Sequence, residues 1–183
     1  DLMQNLLNRL ANGLQPKVNM QWFMCANFTK SLLTELEPSQ LIAQFSMLEA
    51  KKVSSNIIKL SISQFILQNL NESALIQDSL EMREMAAQLL EIMLKRCCQY
   101  IQLLQTDTNL KDFERHRIKF DIINHIFTFY PHVDVVLNSL YRSINSAKGK
   151  SVDGQRLVRT QLKSTLNILL LLVEHFPSVI EKI

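Results

Sequence analysis

The chain has 183 residues, of which 47 % are hydrophobic and 20 % charged, a balance that excludes a disordered polymer and suits one domain. Its net charge of +3 is too small to demand nucleic acid, and its longest apolar run, Ile168 to Val173, is far short of the ~18 residues that span a bilayer. Three cysteines, Cys25, Cys97 and Cys98, cannot all pair with one another, so reduced thiols in an intracellular protein of the cytoplasm or nucleus are expected.

In chain order, Asp1 to Asn12 carries Leu2, Met3, Leu6, Leu7 and Leu10, a helical stripe stopped by Gly13. Pro16 marks the next start, and the segment to Leu36 carries Val18, Met20, Phe23, Met24, Leu32 and Leu33. Glu37-Pro38-Ser39 opens a helix through Leu41, Ile42, Phe45 and Leu48. A polar break at Lys51-Lys52 then leads to an apolar segment from Ile57 to Leu70. Asp78 with Glu81 has the spacing of a capping pair, and Met82, Met85, Leu89, Met93, Cys97, Tyr100 and Leu104 follow at intervals of three and four. The opposite stripe of this helix is polar, with Glu91 and Lys95 at i,i+4.

A helix from about Leu110 to Tyr130 presents Phe113, Ile118, Ile122, Ile126 and Phe129. Pro131 restarts the chain as a helix to about Ser146, and Ala147 to Gly154 reads as a mobile surface loop. The last long helix runs from about Gln155 to His175. Its second half is apolar on all sides, which predicts cover by neighbours on more than one face and burial of Leu166 and Leu170, as of Leu89 and Met93. The apolar Val179–Ile180 pair looks like the first turn of a further helix. No basic-then-apolar leader is visible, and a fragment of a larger protein is expected.

These elements make an all-α chain of about eight helices in four antiparallel pairs, at 1–36, 39–70, 72–130 and 132–175, forming a single helical domain over 1–183. Only 3 glycines and 4 prolines punctuate it, and three prolines keep a common spacing. Pro131 and Pro177 are 46 residues apart, and Pro38 precedes Pro131 by 93, two steps of 46.5. With the Tyr130-Pro131-x-Val133-x-Val135 stretch, and more loosely Glu37-Pro38 and Phe176-Pro177, the chain resembles a HEAT/armadillo-like α-solenoid across nearly its whole length. The Asp and Arg/Lys positions of a standard HEAT unit do not recur. The resemblance implies a right-handed stack that holds other proteins; the alternative architecture is an irregular helical bundle.

Motifs of catalysis are missing from the sequence: it has no glycine-rich phosphate loop, His-Glu-x-x-His, Cys-x-x-Cys or Gly-x-Ser-x-Gly elbow. No catalytic, cofactor or metal role is therefore assigned. A zinc site from Cys97, Cys98 and two histidines competes with simple packing of those cysteines, and packing is preferred. Glu114 and His116, two apart on a helix, point away from each other and read as a solvated face. Trp22 and the Met82, Met85 and Met93 seam read as core before binding groove.

Charge distribution carries the functional content. From Arg142 to Lys163 six basic residues face Asp153 alone, a local +5, leaving −2 for the rest. Arg156, Arg159 and Lys163 share one helical face, and Lys148 and Lys150 lie in the loop before it. Arg115 and Lys119 would extend this patch if the helices stack in register. An anionic partner is the expected ligand: protein partners with an acidic segment, or alternatively nucleic acid, against a merely solvated face. Few aromatics accompany the cations, which favours an acidic protein over single-stranded nucleic acid.

Overall fold

The computed structural model describes residues 2–15, 17–39, 49–70, 74–107, 110–148 and 151–180, and their regular structure is α-helical, with no strand among them. In chain order the elements are α1 (Leu2–Gly13), α2 (Met20–Glu35), α3 (Ala50–Ser61), α4 (Gln64–Asn69), α5 (Leu80–Thr106), α6 (Asp112–Phe129), α7 (Val133–Ala147), α8 (Val152–His175) and α9 (Pro177–Ile180). Pro16, Lys150 and the expected helix through Leu41, Ile42, Phe45 and Leu48 lie outside the described residues.

Local hydrogen bonds set several boundaries differently from the sequence expectation. Helix α2 starts at Met20 because the Asn19 side chain accepts from the Trp22 amide at 2.8 Å. Ser79, not Asp78, caps α5: its Oγ accepts from the Met82 amide at 3.2 Å and donates to Glu81 at 2.9 Å. Lys51 and Lys52 lie inside α3, and the break falls at Ile62–Ser63. There the Ser61 hydroxyl donates back to the Ile57 carbonyl at 2.6 Å, and His125 Nε2 engages the Ile62 carbonyl at 2.9 Å. Gly154 belongs to the first turn of α8, where it is buried, so the α7–α8 connection is shorter than the expected loop.

Packing is organised around α5, which touches α2, α3, α6, α7 and α8, most extensively α8. Lys30 of α2 donates to Gln88 at 2.5 Å, and Arg96 donates to the Leu33 and Thr34 carbonyls, so α2 and α5 run in the same direction. Helix α8 also runs with α5. Arg156 acts on Glu84, Asn167 donates to Glu91 at 2.7 Å, and Glu174 acts on Cys98. The expected Glu91–Lys95 pair is thus replaced, for Glu91, by a bond to a neighbouring helix. Ser54 of α3 donates to Asp121 of α6 at 2.8 Å, and Asn69 of α4 donates to the Ala11 carbonyl of α1 at 2.6 Å. The hydrogen bonds of these four helix pairs join residues 58 to 76 positions apart, a longer step than the 46.5 of the prolines.

The core follows the expected seam of α5: Met82, Leu89, Met93, Cys97, Tyr100 and Leu104 are all buried. Trp22 is buried too, its indole N–H donating to the Leu14 carbonyl at 3.1 Å. It belongs to a face with Ala26, Thr29 and Leu33, while Val18, Met20 and Met24 are exposed. Where α1 meets α2, Gly13 lies so close to Cys25 that a Cβ would collide with its Sγ. The tail of the chain corrects the expectation for α8. Leu166 and Leu170 are 55 % and 54 % exposed, because α5, α7 and α9 cover one side of the helix and no described element covers the other.

Candidate functional site

The α7–α8 hairpin carries the basic segment, and a buried guanidinium fixes its base. Arg83, in the first turn of α5, is 2 % exposed and reaches the C-terminal half of α7. Its Nε donates to Ser143 Oγ and its Nη2 to Ser146 Oγ, both at 2.8 Å, while Nη1 donates to the Gln77 carbonyl. Burial lowers its pKa from the ordinary 12.5, which Asp78 opposes and Arg142 reinforces. Three neutral acceptors hold this cation directly, and the carboxylates of Asp78 and Glu81 act on it only through space. Arg142 donates to the Ile76 carbonyl at 3.3 Å on the same side. Beneath α8, Gln161 donates to Ser139 at 3.1 Å, a polar tie that fixes α7 against α8.

On this base the sequence-predicted cations fall into two groups. Lys148 caps the end of α7, and Arg156, Arg159 and Lys163 line the outer side of α8; all four are exposed, and none has a side-chain hydrogen bond or ion pair among the described residues. Lys148 and Arg159 meet at one groove of about 250 Å³ with Ile144, Gln155 and Val158. Arg156 also feels a buried acid. Glu84 is pushed above its ordinary 4.5 by burial, against the pull of Lys30, of a hydrogen bond from Gln88 and of Arg156.

Arg115 and Lys119 do not join this group. They lie beside Ile101, Leu104 and Gln105 at the far end of α5, some 20 residues or about 30 Å along that helix from Glu84 and Arg156. Arg115 is moreover engaged, with Asp112 at 3.0 Å and the Asp107 carbonyl at 2.5 Å. The register of stacking puts α6 against α3, away from the basic half of α8, so the expected extension of the patch fails.

Groups weighed for chemistry are committed elsewhere. The Glu114 carboxylate accepts from the Lys111 amide at 2.9 Å, and His116 Nδ1 contacts the Asp112 carbonyl at 2.7 Å, so both serve the first turn of α6. Burial raises the Cys97 thiol far beyond its usual range and the Cys98 thiol to about 12, which keeps both protonated at neutral pH. Among the described residues there is no cluster of three or more His, Cys, Asp or Glu able to hold a metal ion. No helix there is long and apolar enough to cross a membrane.

Sequence reasoning missed the apolar surface beside the cations. Leu162, Leu166, Leu170 and Val173 are exposed on α8, and the same alternating steps of three and four that link the cations continue through Leu166, Leu170 and Val173. That continuity was the available signal; it was masked because leucines at helical spacing read as core. A second exposed row, Phe113, Phe120 and Phe127, runs at seven-residue spacing along α6. No family model matches the chain, and neither does any curated protein or solved structure.

Proposed function

We propose that the chain is a non-catalytic scaffold that binds protein partners carrying an acidic segment, as part of a larger intracellular complex. The observation that carries this reading is the row of exposed cations Arg156, Arg159 and Lys163, with Lys148 beside it, on the outer side of α8. A solvated face selected only for stability would intersperse acids among such charges. The architecture proposed for it is a HEAT/armadillo-like right-handed solenoid. Same-direction stacking of α2, α5 and α8 supports that reading over an irregular bundle, since layers related by one repeated step run their equivalent helices in parallel. A second reading, nucleic-acid binding, draws on the same cations and on exposed Tyr141 nearby.

Fluorescence anisotropy with a labelled glutamate-rich peptide and a labelled DNA duplex tests the proposal. Together, Arg156→Glu, Arg159→Glu and Lys163→Glu should leave the melting temperature nearly unchanged and weaken peptide binding at least tenfold, ~1.4 kcal/mol. Equal binding by the reversed variant, or no binding by the native chain, overturns it. Tighter binding of the duplex, falling by orders of magnitude between low and moderate salt, selects the second reading.

A further inference from the structure

The outward line of α8 is Arg156, Arg159, Lys163, Leu166, Leu170 and Val173, at steps of three, four, three, four and three. All six side chains are exposed, the three apolar ones by 54 to 58 %. Steps alternating in this way trace the seam that one helix offers to another in a left-handed pair. The seam spans 17 residue steps, about 26 Å. It is divided in series: the N-terminal half is cationic and the C-terminal half is apolar. Asp153 is the one acid on α8 near the cationic half, buried Glu84 of α5 acts on Arg156 from below, and exposed Glu174 borders the apolar half.

We infer that this line is a bipartite docking face for an amphipathic helix that is acidic over one half and apolar over the other. The inference rests on the proposed reading of the cations and adds the leucines and a defined partner chemistry to it. The serial division is what selects the partner. An anionic membrane surface asks for cations flanking an apolar stripe along the whole length of a helix, so that both sink to their own depths. Here the two kinds of side chain share one line. A phosphate backbone would match the first half and leave Leu166, Leu170 and Val173 against water. A second copy of the chain would set cations against cations in parallel, or cations against leucines in antiparallel. A helix that changes from acid to apolar along its length satisfies both halves, and Glu174 repels its acidic end from the wrong half of the seam.

The test uses three labelled 21-residue helical peptides: glutamates then leucines along one heptad seam, the reverse order, and glutamates alone. One bipartite order should bind the native chain at least tenfold more tightly than the glutamate-only peptide. Leu166→Ser with Leu170→Ser should abolish that advantage at all salt concentrations, with an unchanged circular dichroism spectrum and melting temperature. The Arg156→Glu, Arg159→Glu, Lys163→Glu variant should lose affinity for every peptide, by a factor that shrinks as salt rises. If the serine variant binds the bipartite peptides like the native chain, or neither order exceeds the glutamate-only peptide, the docking face is refuted while the cationic site stands. If the charge-reversed variant binds the glutamate-only peptide normally, the cationic reading itself falls. Sedimentation showing a dimer that the serine variant dissolves, or binding to phosphatidylserine vesicles without peptide binding, also overturns the inference.

Discussion

Helices α5 and α8 lie side by side in the same direction, with 27 and 24 residues, yet they live in different solvents. Five helices surround α5, and it buries even charged groups: Arg83 on three neutral acceptors and Glu84 beside Gln88, within reach of Lys30 and Arg156. Helix α8 turns half its surface outward and leaves leucines there. A central helix must satisfy polar groups internally because unmet ones cost about 1–3 kcal/mol each. The outward side of an edge helix faces no such demand, unlike its inner side with buried Gln161, Ser164 and Thr165, so the chemistry displayed outward is free to serve a partner. The lesson is that burial here follows the number of neighbouring helices, and the surface proposed to bind is where that number drops.

The comparison breaks most visibly with an aspartate in each helix. Leu89→Asp in α5 places an unpaired charge at a site with no exposure and should cost several kcal/mol, enough to prevent soluble expression. Leu170→Asp in α8 should express normally and change stability by no more than about 0.5 kcal/mol in a thermal melt. Equal loss in both variants would show that α8 is covered after all.

Cations sharpen the contrast at intermediate size. Arg83→Ala should cost about 2–4 kcal/mol, because it strips the donors from Ser143, Ser146 and the Gln77 carbonyl at the join of α5 and α7. Arg159→Ala, on an exposed and unpaired side chain, should be silent in the same denaturation curve. A silent Arg83→Ala would mean that the buried ties do not hold the hairpin to α5.

The smallest effect concerns pH. Glu84 has its folded pKa raised by burial, so the folded chain binds its proton more tightly than the unfolded chain. Stability from this group is therefore present below the ordinary value of 4.5 and declines as pH rises through the interval up to the folded value. Glu84→Gln should remove that slope and leave the variant equal or more stable, by about 1 kcal/mol at most, at neutral pH. Urea titrations at pH 4 and pH 7 check it. A native chain whose stability rises through that interval, with the slope unchanged by Glu84→Gln, would reject the assignment.

What the sequence reveals differs between the same two helices. The all-helical class, the buried seam of α5 and the core role of Trp22 are legible, because apolar side chains at steps of three and four must go inside when a polar stripe lies opposite. The cap of α5 is misplaced by one residue, since Asp78 and Ser79 are both good cap residues and only backbone geometry separates them. The break at Ile62–Ser63 is invisible in the pattern, because it arises from a hydroxyl–carbonyl bond and a histidine from α6. Layer-to-layer register is hidden as well: prolines mark helix starts, while the tertiary step is set by which helix faces meet. That register separates Arg115 and Lys119 from the α8 cations. The leucines of α8 are misread for a simpler reason. Periodicity says that a stripe needs a cover, and does not say whether the cover belongs to the same chain.

The common direction of α2, α5 and α8 has an electrostatic consequence of its own. Peptide dipoles add along a helix to roughly half a positive charge at its N-terminus, and in these three helices those ends point the same way. Arg83, Arg142 and Arg156 all cluster at the N-terminal end of α5. The C-terminus of α7 meets the same end, where Arg83 reaches Ser143 and Ser146, so its negative pole offsets part of that field and the side-chain cations set its sign. An acidic segment drifting past would be drawn to that end by the side-chain cations before any contact forms, and reversing them would remove this steering.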